Sequence, residues 1–170
     1  MNTSVSSTKT KKSTGVVFPL LILMLSNIVI SVIYLFFVKN FNYSFIVNGE
    51  PTFAMSHILL LWITFGMIIM LGIVPYILFN LSNFKTDRFG LRLNYTLYYV
   101  HFLLFLLWAF FTFTLSLPIV GVIILGVATA LLLFVVYRFM TNSIVAGCLL
   151  TIWALWLMYL FVLNFAYVLL

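Results

Sequence analysis

Charge is what this chain has least of. Its 170 residues include eight Lys or Arg and two Asp or Glu, so charged side chains make up 6% of the sequence. A soluble domain carries about a quarter charged residues because its surface faces water. This chain cannot coat a water-facing surface of its size, which excludes a soluble enzyme, a nucleic-acid-binding module and a disordered tail. Cysteine is nearly absent too. A single Cys148 closes no internal disulfide and says nothing about redox compartment. The sequence contains no P-loop, no dinucleotide-binding glycine signature and no nucleophile motif. It also lacks the clustered His, Cys and Asp residues that a metal site needs. The pI near 9.6 comes from basic residues scattered singly beside apolar runs, which is a topology signal and not a nucleic-acid patch.

What is abundant is apolar surface. Hydrophobic residues make up 66% of the chain and aromatic residues 19%. After a polar, flexible tail over 1–15, the chain reads as one transmembrane domain over 16–170 with five spans, at about 16–38, 55–79, 93–113, 119–137 and 143–170. The first run could be mistaken for a cleaved signal peptide. Its apolar region is too long, and no small-x-small site follows before Lys39, so it reads as a retained helix. Runs this long do not alternate as barrel strands do. The expected fold is therefore an all-α integral membrane protein, a five-helix bundle in the lipid bilayer. Turns are expected at Thr112–Pro118 and around Thr141, Asn142 and Ser143.

With the N-terminus in the cytoplasm, Lys9, Lys11, Lys12, Lys85, Arg88, Arg92 and Arg138 fall inside and only Lys39 falls outside. The C-terminus then lies on the opposite face. No acid, Lys or Arg sits deep within a span, which argues against pumps, proton-coupled carriers and voltage sensors. His57 is near a span end, leaving His101 as the one ionisable side chain of interest at depth. A lone His of this kind reads first as a helix-contact residue. Gly126 and Ala130 form a small-xxx-small pair suited to helix packing.

Two helix faces stand out. In the third span Tyr98, His101, Phe105 and Trp108 share one face by their spacing, and in the last Trp153, Trp156, Leu160 and Asn164 do the same. Two aromatic stripes, each with a polar group, can line a pocket for a flat apolar ligand. Ordinary helix packing and interfacial aromatic belts give such stripes as well, and spacing alone favours that account.

The last span, from Ser143 through Ala146, Leu149, Leu150, Trp156 and Leu163 to Asn164, resembles the final helix of the TspO/MBR family, the translocator proteins or tryptophan-rich sensory proteins. Trp153 and Tyr159 take the places of that family's Tyr and Phe. In the third span Tyr98 and Trp108 match, with His101 and Phe105 at the family's Gln and Asn positions. Pro51, Phe53 and the GIVPY segment from Gly72 are similar to further family motifs. The family's two helix-two tryptophans fall on Ile58 and Thr64, and its helix-five Pro on Ile152.

The resemblance implies a cavity among the helices that binds a hydrophobic small molecule, a porphyrin or haem or a sterol- or lipid-like compound, in a sensory or regulatory role. No cofactor is required for such binding. Trp156 and Trp108 would stack on the ligand, Leu160 and Leu163 would shape the pocket, and His101 or Asn164 would supply a hydrogen bond. Tyr98, Phe105, Trp153 and Tyr159 complete the candidate set. A homodimer is one arrangement the family adopts, and the cell membrane is the expected location. Degradation of a bound porphyrin in light or oxygen is the alternative activity. Members with that activity are thought to use a helix-two Trp with the helix-five Trp, and only Trp156 is present here. A structural membrane subunit without a ligand is the other alternative.

Overall fold

The computed structural model describes residues 14–39, 53–81 and 88–169. The N-terminal lysines, Lys85 and the first-loop motif at Pro51 lie outside the described residues. The protein is an all-α bundle of helices α1 (Thr14–Lys39), α2 (His57–Leu71), α3 (Val74–Leu81), α4 (Arg88–Ala109), α5 (Pro118–Asn142) and α6 (Ile144–Leu169). A π-helical turn, Phe110–Thr114, continues α4, and there is no strand among the described residues. Five stretches are long and apolar enough to cross a membrane: Leu20–Lys39, His57–Leu78, Arg92–Thr114, Pro118–Asn142 and Ile144–Leu169. The 25-residue α5 is about 37 Å long at the α-helical rise.

The helices are apolar all round because their outer faces meet acyl chains. Leu21, Leu25 and Phe36 on α1 and Ile119, Ile123 and Val127 on α5 point outward. In lipid no hydrophobic effect draws helices together, so packing and interhelical hydrogen bonds hold the inner faces. The helices close a ring. α1 packs on α2 and on α4, α4 on α5, α5 on α6, and α6 on α2 and α3. The short α3 meets α6 more fully than the longer α2 does, so the α2–α6 seam is the loosest one.

The second span is two helices because of Pro75. With no N–H, Pro75 cannot bond the Leu71 carbonyl four residues back. The Gly72 N–H bonds the Ile69 carbonyl instead of that of Ile68. Two carbonyls are thereby released in the hydrocarbon region, where each needs a partner. Asn27 Nδ2 donates to the Ile68 carbonyl at 3.0 Å, and the Tyr98 hydroxyl donates to the Leu71 carbonyl at 2.7 Å. Asn27 Nδ2 also donates to the Tyr98 oxygen at 3.0 Å, which ties α1, α2 and α4 together at the break. Gly72 fits closely there: a Cβ would stand 3.0 Å from the Met24 Cα of α1, tighter than ordinary contact.

The turn expected around residues 141–143 is shorter than its composition implies. Helix α5 runs on through Arg138 to Asn142, and Ser143 alone, extended at φ −152° and ψ 110°, joins it to α6. Thr141 Oγ1 and Asn142 Nδ2 both donate to the Arg138 carbonyl, at 2.9 and 2.6 Å, so these turn-forming side chains bond back into the helix. Gly126 lies against the Phe161 ring, while Ala130 faces outward. Arg92 and Arg138 share one end of the bundle, where Arg138 Nε donates to Asn94 Oδ1 at 2.7 Å. Lys39 ends α1 at the opposite end, where α2 begins at His57.

Candidate functional site

The α4 stripe is as regular as its spacing predicts. Tyr98, His101, Phe105 and Trp108 are all fully buried. The half nearer the arginines is filled by side chains. His101 Nδ1 contacts the Tyr98 carbonyl, which holds the hydrogen on Nδ1 and leaves Nε2 as the acceptor. Trp153 Nε1 donates to that Nε2 at 3.0 Å. Rings close the remaining space. Trp153 lies 6.0 Å from Phe102 and 5.4 Å from Phe105, and Tyr98 stacks 6.1 Å from Phe139 of α5. Tyr98, His101 and Trp153 are thus committed to one another and to the helix break. Trp153 also borders an apolar recess of about 120 Å³ on the outer α2–α6 seam, with Met67, Met70 and Leu149.

Trp156 and Tyr159 bridge that seam. Half-buried Trp156 donates from Nε1 to Thr64 Oγ1 of α2 at 3.0 Å, and Thr64 passes its own hydrogen to the Leu60 carbonyl at 2.8 Å. Thr64 thus links α2 to the α6 indole across the seam. The Tyr159 hydroxyl donates to the Phe53 carbonyl and accepts from the Met55 N–H, both at 3.2 Å. The Trp156 and Tyr159 rings lie 5.3 Å apart.

Open space lies at the Lys39 end, in two compartments that share His57, Leu60 and Phe113. The outer one, about 280 Å³, is bounded by Tyr34, Val38 and Lys39 of α1 and Ile58 and Leu61 of α2. Ligand pockets begin at roughly 300 Å³, so a small flat molecule fits with part of its body outside. The inner compartment is about 30 Å³ and reaches Trp108, Leu160, Leu163, Asn164 and Tyr167. Polar groups are few. They are the exposed Lys39 ammonium at the mouth, His57 between the compartments, the side chains of Tyr34, Tyr167 and Trp108, and Asn164, whose Nδ2 donates to the Leu160 carbonyl at 2.8 Å.

Trp108 differs from the other inward-turned indoles. Its Nε1 has no hydrogen-bond partner among the described residues, and neither has Thr112 Oγ1 four residues on. The Thr112 hydroxyl and the Cδ1 edge of the Trp108 ring lie against Gly121 of α5. A Cβ there would collide with Thr112 Oγ1 and stand 3.4 Å from Trp108 Cδ1, so only glycine admits this approach.

The structure therefore gathers Trp108, Leu160, Leu163 and Asn164 of the sequence-chosen residues around the cleft. Tyr98, His101 and Phe105 lie in the packed interior, and Trp153, Trp156 and Tyr159 lie along the α2–α6 seam. Sequence reasoning missed Tyr34, His57, Leu60 and Phe113 as cleft walls. The available signal was that Lys39 and His57 flank the same long first connection. Among the described residues no three His, Cys, Asp or Glu side chains come together as a metal site. No family model, curated protein or solved structure matches this chain.

Proposed function

We propose that the protein is a membrane receptor of the TspO/MBR kind, which binds a hydrophobic or amphipathic small molecule in the cleft at the Lys39 end of the bundle. Its N-terminus lies in the cytoplasm and its cleft opens to the opposite face of the cell membrane. The observation that carries this reading is the make-up of the cleft. Apolar walls from α1, α2 and α6 surround a space for a flat guest, with a single cation, Lys39, at its mouth. Such a site suits a tetrapyrrole whose ring inserts while a carboxylate meets Lys39, or a lipid-like molecule with one polar end. Arg92 and Arg138 at the far end support the orientation, because cationic residues concentrate on the cytoplasmic side.

Titrating the purified protein with protoporphyrin IX and with cholesterol, followed by tryptophan quenching, tests this. Saturable micromolar binding of either is the expected result. Lys39→Gln should weaken the dicarboxylate porphyrin by up to about five-fold, the range of an ion pair at an exposed site, and leave cholesterol unchanged. The ring-filled interior between α4 and α6 favours a second reading, a structural membrane subunit. Absence of quenching by either compound would support it.

A further inference from the structure

We propose that Arg138, at the seam of α4 and α5, is the receptor for one anionic phospholipid headgroup, whose phosphate diester it meets through the two Nη groups of its guanidinium. The site lies at the opposite end of the bundle from the cleft and does not rest on the cleft reading.

Arg138 falls four residues before the end of α5. That helix is about 37 Å long at the α-helical rise, against a hydrocarbon core of about 30 Å, so Arg138 lies near the level where acyl chains give way to headgroups. Its half-buried side chain is held in two ways. Nε donates to Asn94 Oδ1 of α4 at 2.7 Å, and Cζ stands 5.9 Å from the centroid of the Phe134 ring. Phe134 and Tyr137 are exposed on the outer face of α5, which places the guanidinium beside a surface that acyl chains cover.

A guanidinium carries five N–H donors in a planar fork and no acceptor. Asn94 takes the one on Nε, and those on the Nη groups have no partner among the described residues. No carboxylate among the described residues balances the charge either. The chain's two acids, Glu50 and Asp87, lie outside them, and the sequence between the second and third spans sets Lys85, Arg88 and Arg92 against Asp87 alone. A charged side chain at membrane depth takes a partner, and here that partner must come from outside the chain. The free Nη edge matches two phosphate oxygens, a bidentate pairing for which Arg is suited. Basic positions between transmembrane helices recognise acidic headgroups in this way. A free phosphate ion shares the chemistry, but only a lipid adds acyl chains to lie against Phe134.

Asn94 is the positioning residue. It is buried, and its Nδ2 has no partner among the described residues while its oxygen holds Arg138. An unsatisfied buried donor is destabilising. The arrangement gives in return a guanidinium fixed along one edge, with the Nη edge left over.

The test is native mass spectrometry of the full-length protein released from mild-detergent micelles that carry equal amounts of palmitoyl-oleoyl phosphatidylglycerol and phosphatidylcholine. Wild type should retain one phosphatidylglycerol in preference to phosphatidylcholine by about five-fold, the effect of one basic residue near an anionic surface. Arg138→Gln should abolish the preference, whereas Arg92→Gln, exposed at the same end of the bundle, should leave it. Asn94→Asp keeps an acceptor for Nε and supplies an internal counter-ion. It should therefore also abolish the preference, without lowering the midpoint of unfolding by SDS, a split that a purely structural contact would not give. Inorganic phosphate should displace no more lipid than chloride at matched ionic strength. Equal retention of the two lipids by wild type overturns the site. So does a preference that survives Arg138→Gln or Asn94→Asp, or one lost equally in Arg92→Gln, which would mark diffuse surface charge. Displacement by inorganic phosphate would assign the site to the free ion and overturn the lipid assignment. Each of these outcomes leaves the cleft reading where it stood.

Discussion

Trp153 and Trp108 flank one ring, Phe105, toward opposite ends of the bundle. Both are buried, and both pack on Phe105, at 5.4 and 5.1 Å between centroids. They differ in the fate of one hydrogen. Trp153 delivers it to His101, in the half of the bundle where Tyr98 and Asn27 also serve the backbone carbonyls freed at Pro75. Trp108 holds its hydrogen unshared in the half that opens into the cleft. Shared packing on Phe105 with unequal hydrogen bonding separates the two halves: in the first the indole hydrogen has a partner, and in the second it has none among the described residues.

The largest effect should come from the Trp153 half. Tyr98→Phe removes the donor to the Leu71 carbonyl and the acceptor for Asn27 Nδ2. It should destabilise the protein by about 1–3 kcal/mol, read as an earlier midpoint when SDS is titrated into mild-detergent micelles. A midpoint indistinguishable from wild type would mean that the break is satisfied in another way, and the contrast between the halves would lose its stronger side.

Of similar size is the effect expected where α5 approaches the Trp108 half. Gly121→Ala places a methyl group against the Thr112 side chain. Thr is stiff at χ1, so overpacking should cost about 1–3 kcal/mol. Thr112→Ala alone should be close to neutral, because its hydroxyl has no partner among the described residues. In the double variant it should recover most of the Gly121→Ala loss, a non-additivity expected of residues in contact. Additive losses would mean that α5 is held off by the backbone and not by Thr112.

The five spans were legible because each is an uninterrupted apolar run, and in lipid run length alone nearly decides the element. The division of the second span was not drawn from the sequence, which reads 55–79 as one run, although Pro75, whose missing N–H frees a carbonyl wherever it stands in a helix, carries the signal. The inward face of α4 was legible too, since three- and four-residue spacings put Tyr98, His101, Phe105 and Trp108 on one side. What that face meets was not. Thr64 and Trp156 are 92 residues apart in the chain, and His101 and Trp153 are 52 apart, so no local pattern pairs them. Nothing around Trp108 and Trp153 in the sequence tells which hydrogen is spent. That depends on whether an acceptor on another helix arrives at the right depth, which only the packed bundle decides. The cleft walls Tyr34, Leu60 and Phe113 escaped for the same reason, being ordinary apolar residues until three helices diverge beside them.

The smallest expected effect is the sharpest test of the comparison. Replacing the Trp153 indole by benzothienylalanine keeps the ring and removes the donor, leaving His101 Nε2 buried without a partner. The cost should be about 1 kcal/mol, toward the upper part of the range for hydrogen bonds between membrane helices. The same replacement at Trp108 removes a hydrogen that meets no acceptor among the described residues. It should therefore cost nothing in the SDS titration and can even stabilise the unliganded protein slightly, since a buried unpaired donor is lost along with it. Fluorescence would follow the same division: loss of Trp153 removes the indole hydrogen-bonded to His101, and loss of Trp108 removes the one beside the cleft. A loss of stability at position 108 equal to that at position 153 would mean that the Trp108 hydrogen is already engaged in the unliganded protein, and the two halves would then be alike.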